Sequence, residues 1–301
     1  MKETKHVVVG IGELLWDFLP SGKQLGGAPA NFAYITSLLG DRGIVASRSG
    51  DDPLGAEALQ RLRQLGVTTE FVQKDNPHPT GTVKIELDNG QPRFEILQPV
   101  AWDFLEWTPT WKRLASETHA VCFGSLAQRS ARSRITIRRF LRATRPDAVR
   151  IFDVNLRQDF YSKEVLEESL KLATIVKLNH EELLVVTSLL ALESQSMRES
   201  ARHLLASFHL KLVCITRGSS GSILISAGEF CEHAGFKVKI ADAIGAGDAF
   251  TAALVHGYLS KQPLREINEK ANRVGAWVAS QHGGMPLPGE RGLEQILATI
   301  T

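Results

Sequence analysis

Residues 119–216 alternate short, largely apolar runs with longer stretches of helical periodicity, and no other feature constrains the fold as tightly. The runs fall at 119–124, 149–154, 175–178 and 212–216, as expected of parallel strands buried on both faces. Helical patterns occupy 130–144, 162–173, 180–190 and 196–208 between and after them. A strand, a helix and a second parallel strand pack as an open sheet with helices against it. The sequence therefore predicts an α/β fold with a mostly parallel central sheet.

The remaining segments extend that frame. A strand is expected at 7–11, a helix at 29–39 closed by Gly40, a strand at 44–47, and a helix at 53–65 ending at Gly66. Residues 221–226 and 229–240 read as added β structure, and two helices are expected at 248–260 and 264–281. Residues 71–104 differ in character. Thr82 to Leu87 alternates apolar and polar residues, Asp88-Asn89-Gly90 is a hairpin turn signal, and the alternation resumes at 93–97. Alternation means a sheet with one wet face. With part of 11–25, this stretch predicts a small β-sheet lid, formed by about 12–25 and 71–104, on a single domain spanning 1–301.

Composition narrows the class. Of 301 residues, 43% are hydrophobic and 23% charged, which is ordinary for a soluble globular chain. A net charge of +2 gives no field that invites nucleic acid or membrane. The six arginines at 132, 134, 138, 139, 142 and 145 read as a basic surface face. No apolar run approaches bilayer length, and no cleavable signal pattern precedes the first strand. Cys122, Cys214 and Cys231 have no paired spacing and are expected to be buried reduced thiols, which suits the cytoplasm.

In open parallel sheets, ligands bind at the carboxyl ends of the strands. Four polar clusters are expected at that edge: Asp17; Asp153 with Asn155 and Arg157; Asn179 with Glu182; and Thr216-Arg217-Gly218. The densest signal is Asp242-Ala-Ile-Gly-Ala-Gly-Asp248, running into a helix. Gly245-Ala246-Gly247 can turn tightly and aim backbone N–H groups into one concavity, where the positive end of the helix favours an anion. Asp248 at its rim is placed to take a proton from a hydroxyl. Alone, the segment reads equally well as a capped strand-to-helix turn. The dinucleotide fingerprint fails because Leu15 stands where Gly is needed, and the chain has neither a Gly-x-x-x-x-Gly-Lys-Ser/Thr motif nor zinc-ligand spacing.

This segment resembles the C-terminal signature of the ribokinase/PfkB family of sugar and nucleoside kinases, with Ala243 where the family usually has Thr. Gly26-Gly27-Ala28-Pro29-Ala30-Asn31 resembles the second family signature, and the two lie more than 200 residues apart in the family's order. The resemblance implies a ribokinase-like three-layer α/β/α fold and an ATP-dependent sugar kinase. It makes Asp248 the base and the loop of Gly245, Ala246 and Gly247 the anion hole, with the N–H groups of Ala246, Gly247 and Asp248 holding charge. Asn179-x-x-Glu182 resembles the family's Asn-x-x-Glu, which implies Mg²⁺ at Glu182 through water; a helix N-cap with its capping-box partner reads equally well. Thr216, Gly218 and Gly221 match a nucleotide-phosphate loop, and Asn272 a position beside adenine. Asp242 and the Ile244 carbonyl match a K⁺ site.

Gly12-Glu13-Leu14-Leu15-Trp16-Asp17 and Asp153-x-Asn155-x-Arg157 look most like fructokinases. Asp17, Gly27 and Asn31 would hold the sugar, with Arg157 on phosphate or paired with Asp153. Trp102 would line the sugar from the lid or simply pack within it. Fructose is the favoured substrate, with ribose, 2-keto-3-deoxygluconate and nucleosides left open, and relatives suggest a homodimer through the lid. A non-catalytic sugar-binding regulator and a nicotinamide dehydrogenase are the competing classes.

Overall fold

The structure, a computed structural model, describes residues 6–19, 22–88, 91–192, 194–290 and 292–300. Its strands are β1 (Val7–Ile11), β2 (Leu15–Leu19), β3 (Gly22–Gly26), β4 (Arg42–Gly50), β5 (Val72–Asp75), β6 (Gly81–Asp88), β7 (Gln91–Ile96), β8 (Ala120–Phe123), β9 (Val149–Asp153), β10 (Ile175–Asn179), β11 (Leu212–Thr216), β12 (Ser222–Ile225) and β13 (Phe230–His233). Its helices are α1 (Ala28–Leu38), α2 (Pro53–Gln64), α3 (Pro109–Glu117), α4 (Ala131–Ala143), α5 (Lys163–Leu172), α6 (His180–Leu190), α7 (Met197–Ser207), α8 (Ala246–Leu259), α9 (Leu264–Ala279) and α10 (Gly292–Leu297).

Nine strands form one sheet in the order β13-β12-β11-β10-β9-β8-β1-β4-β5. From β11 to β5 every pairing is parallel, and β12 and β13 close the edge antiparallel. Neighbouring residues on each strand point into opposite layers. Val8 enters the core beneath α1, α2, α8 and α9, while Val9 enters the one beneath α3 to α7. Ile175 and Val176 divide the same way, which is why these strands read as unbroken apolar runs. The result is the expected three-layer α/β/α architecture. Several helices start where a side chain satisfies a free N–H: Asp52 caps α2, Thr108 caps α3, Ser162 caps α5 and Ser196 caps α7.

The smaller sheet has the order β3-β2-β6-β7. Its outer pairs are antiparallel and its central pair, β2 with β6, is parallel. The hairpin pairs Asp88 with Gln91; its turn residues Asn89 and Gly90 lie outside the described residues. The sequence drew this sheet too widely. Val72–Asp75 joins the nine-stranded sheet through β4, and Ala101–Phe104 is a 3₁₀ turn. The run expected as β at 229–240 stops at His233. The helices α3 and α10 had no counterpart in the periodicity reading. Cys122 and Cys214 are buried as expected, but Cys231 is only partly so. No helix among the described residues is long and apolar enough to cross a membrane. Some arginines of the 132–145 segment have acidic partners: Arg132 meets Glu106 at 3.0 Å, and Arg145, just past α4, meets Asp147 at 2.9 Å.

One buried ion pair fastens the smaller sheet to the larger body. Arg129 grips Asp103 with two hydrogen bonds of 2.8 Å and donates to the Leu97 carbonyl, just past β7, at 2.7 Å. Its guanidinium lies 4.0 Å from the Trp102 ring centroid and 4.7 Å from that of Phe160. Both charged side chains are about 95% covered, so removing one strands the other without water. Arg129→Ala is therefore expected to cost about 3–5 kcal/mol in urea unfolding, well above the cost of Arg132→Ala on the surface of the same segment.

Candidate active site

The carboxyl ends of β1, β9, β10 and β11 deliver polar residues to one edge of the sheet, and the start of α8 closes over it. Gly245 precedes α8 with φ 74°, a left-handed conformation that favours glycine. A Cβ there would strike the backbone of Gly284. The tight turn leaves the first turn of α8 facing the strand ends. The N–H of Ala246 bends back to the Ala243 carbonyl at 3.3 Å. Gly247 and Asp248, the next helical positions, have no helical acceptor for their N–H groups, as at any helix start. These two amides, more than that of Ala246, are left for a partner outside the helix.

Asp248 is partly buried, and Asn31 on α1 donates to its Oδ2 at 2.8 Å. Burial pushes its carboxyl up to about 6, with the charge of Asp153 adding to the rise and Asn31, Lys177 and Arg157 opposing it. Gly27, with φ 102°, sits at the N-cap of α1 against the Glu13 carbonyl. Asp17 projects from β2 over the bare face of Gly26, and burial raises it to about 6 despite the Arg157 charge. Glu13 is more deeply buried and is held at about 7 by that burial; its own N–H and that of Ala28 pull the other way. Three carboxylates thus converge beneath one arginine. Arg157 itself is exposed, and its Nη1 donates to the Leu156 carbonyl at 2.9 Å.

The expected alternation from Asp153 to Arg157 does not persist. The strand ends at Asp153, and Asn155 is left-handed at φ 43°. Asp153 pairs with Lys177 instead of Arg157, at 3.0 and 3.2 Å.

The residues expected around nucleotide form a continuous line. Asn179 and Thr216 are register partners on β10 and β11, and Thr216 pairs with Ser222 on β12. Asn272 on α9 donates to Ser222 Oγ at 2.7 Å and is buried. Gly218 and Gly221, both at positive φ, open and close the 3₁₀ turn after β11, where Arg217 pairs with Glu232. Asn179 and Glu182 form a full capping box, with both bonds at 2.8 Å. The other Glu182 oxygen accepts the Leu156 N–H at 3.0 Å. Both Glu182 oxygens thus hold backbone, and a water-bridged ion would use their remaining lone pairs. Asp242 likewise accepts from Ile244 N at 2.8 Å and from Gly283 N at 2.9 Å, tying its own loop to the one at 283–284.

Trp102 does not join the site. It is fully buried against Gly81 and Arg129, with no surface left to meet a sugar. Sequence reasoning missed Lys177 and Thr251. The signal was present in Ile175-Val-Lys-Leu, a charge inside an otherwise apolar strand.

A helix start beside a partly buried carboxylate, on a three-layer α/β frame, suits a phosphotransferase with an alcohol group as acceptor, and the comparisons with known proteins show that class. Residues 21–289 match the pfkB family of carbohydrate kinases, and the chain belongs to that family. It is 32% identical to a fructokinase of Escherichia coli over 94% of this chain and 97% of that one. The structure of an uncharacterized sugar kinase from Pyrococcus horikoshii in complex with ATP superposes with a TM-score of 0.81 at 31% identity, covering 95% and 97% of the two chains. A fructokinase double mutant from Vibrio cholerae, solved with fructose, ADP and a potassium ion, gives 0.78 at 26% identity over 93% and 94%.

Two outcomes follow for Asp248→Asn. With Asp248 as the expected base, the variant should lose about 10²–10⁴-fold in kcat, and the wild-type kcat/KM should fall on the acid side of about pH 6 as Asp248 takes up its proton. The same variant should melt higher than wild type at pH 8. The sign follows from the raised carboxyl: the unfolded chain gives up this proton at lower pH than the folded one, so stability falls as pH rises towards about 6. The melting difference should shrink at pH 5, where the folded wild type is mostly protonated; scanning calorimetry at the two pH values reads it.

Proposed function

We propose that this sugar kinase transfers the γ-phosphoryl group of ATP to the primary hydroxyl of fructose, giving fructose 6-phosphate. The observation that carries the reading is Asp248, in the first turn of α8, hydrogen-bonded to Asn31 and sharing its surroundings with Asp17. Asp17, Gly27 and Asn31 hold the sugar, and Asp17 accepts bonds from its hydroxyls. Asp248 accepts the proton of the attacking hydroxyl. The freed oxygen forms its bond to the γ-phosphorus while the bond to the β-phosphate oxygen breaks, and ADP leaves with that electron pair. The N–H groups of Gly247 and Asp248, with the turn at Gly245 and Ala246, hold charge that develops on the transferring group.

Asn179, Thr216, Gly218, Gly221 and Asn272 line the nucleotide, and Arg157 reaches its phosphates or the sugar. Mg²⁺, when bound, neutralises phosphate charge, and Glu182 would hold it through water. Asp242 and the Ile244 carbonyl would hold K⁺ beside the loop. The smaller sheet acts as a lid that keeps water from competing with the sugar. Its edge strands β3 and β7 present open backbone, and we expect them to be covered in a homodimer. The enzyme is expected to work in the cytoplasm, with neither nucleic acid nor membrane as partner.

Fructose is favoured by the E. coli fructokinase relative and by the V. cholerae enzyme solved with that sugar. ADP release should be measured with ATP, Mg²⁺ and K⁺ against fructose, ribose, 2-keto-3-deoxygluconate, glucose and adenosine. Fructose should lead in kcat/KM by about tenfold or more. A higher value on another acceptor would reassign the substrate while leaving the kinase intact. Light scattering at micromolar concentration should give twice the chain mass; a monomer would remove the dimer.

A further inference from the structure

Behind the first turn of α8 lies a buried charge that the proposed reaction does not use. Lys177 stands near the end of β10, and its ammonium is buried between the sheet and the first turn of α8. A Cβ added to Gly247 would come within 3.0 Å of Lys177 Nζ, so the glycine leaves the space the ammonium needs. Asp153 on β9 holds that ammonium with both oxygens, at 3.0 and 3.2 Å. One of those oxygens also accepts from Thr251 Oγ1 at 2.9 Å. Thr251 lies one turn along α8, and its single hydroxyl proton is shared between that oxygen and the Gly247 carbonyl, also at 2.9 Å. The ring of contacts is closed: Gly247, Lys177, Asp153, Thr251 and back to Gly247.

We propose that Lys177 is a positioning residue for phosphoryl transfer, its ammonium fixing the first turn of α8 through Asp153 and Thr251 and supplying permanent positive charge behind the amides of Gly247 and Asp248. The inference rests on the kinase reading of the site and extends it to a buried group behind the loop. Burying a cation is costly without a partner. Here burial does favour the neutral amine, but the charges of Asp153, Glu182 and Asp248 outweigh it and keep Lys177 protonated well above the ordinary lysine range. A simple ion pair between strands would need neither the hydroxyl of Thr251 nor the bare face of Gly247. A charge held one atom layer behind an anion site in a low-dielectric setting acts on that anion with little screening.

Three variants test it. Lys177→Met keeps length and removes charge; Lys177→Arg keeps charge but is too broad for the space under Gly247; Thr251→Val removes only the hydroxyl. Lys177→Met should lose about tenfold or more in kcat, with KM for sugar changed little. Its acid limb should move up by about one unit, because Asp248 then faces Asp153, Glu13 and Asp17 with only Arg157 as a cation. Lys177→Arg should lose kcat with the acid limb in place, and Thr251→Val should lose a few-fold with the limb in place. Protection of the melting temperature by orthophosphate reads the anion site without turnover; wild type should gain and Lys177→Met should not.

Wild-type kcat and acid limb in Lys177→Met, or phosphate protection equal to wild type, would overturn the proposal. If Lys177→Met does not melt cooperatively, Lys177→Arg decides, and wild-type kcat there overturns it. A wild type that releases no ADP with any sugar would sink the kinase reading alone, and the phosphate measurement still decides on Lys177; no protection of the wild type counts against it.

Discussion

Everything at the site depends on how closely the start of α8 approaches the loop at 283–284 and helix α1. That approach is made by backbone on backbone. Gly245 packs on Gly284, and a side chain on Gly284 would meet the amide of Asn31 at 2.6 Å. Only with both side chains absent does the Asn31 amide reach Asp248, and only then does the helix end face the strand ends. The surrounding helices are built for such proximity. Eight of the eleven residues of α1 and eight of the fourteen of α8 are buried, with Ala30, Ala33, Ala249, Ala252 and Ala253 among the smallest. Small residues let helix axes close up, and the dispersion gained holds the turn in place.

The same crowding makes the site electrostatically uncomfortable. Glu13, Asp17 and Asp248 all carry carboxyls raised by burial, and each of the first two also feels Asp248 as a repelling charge. In a fold selected for stability alone, such residues would be amides. The buried ion pairs are better satisfied: Asp103 with Arg129 away from the site, and Asp153 with Lys177 beneath the start of α8. The opposition between a stressed site and a well-satisfied frame is the usual pattern where chemistry needs a group near its neutral form.

The sequence revealed the frame wherever periodicity was strong. The four central strands from β8 to β11 and the helices between them lie within two residues of expectation, because strands buried on both faces and amphipathic helices leave unmistakable patterns. Legibility failed where a segment's partner was distant. Val72–Asp75 reads locally like its neighbours in the smaller sheet, and only pairing with Ser47 to Gly50 assigns it to the larger one. Trp102 illustrates a second failure. An aromatic residue near a lid suggests ligand contact, but its complete burial is decided by Arg129 and Gly81, which no local pattern announces. The loop around Asp248 was legible because glycines at special backbone angles are spelled out in the chain. Lys177 was overlooked because its role lies in three-dimensional adjacency to Gly247.

The chain passes from β1 on the large sheet to β2 on the small one through three residues, Gly12 to Leu14. Asp17 travels with the small sheet, whereas Asp153, Lys177 and Asp248 stay with the large body. In the proposed reading the acceptor is therefore held from two slabs joined by a short crossing, by Asp17 on the small one and by Asn31, bonded to Asp248, on the large one. Drift along β2, β3, β6 and β7 can alter which alcohol is grasped without disturbing the end of α8. A lineage built on this plan can change its diet faster than it changes its chemistry.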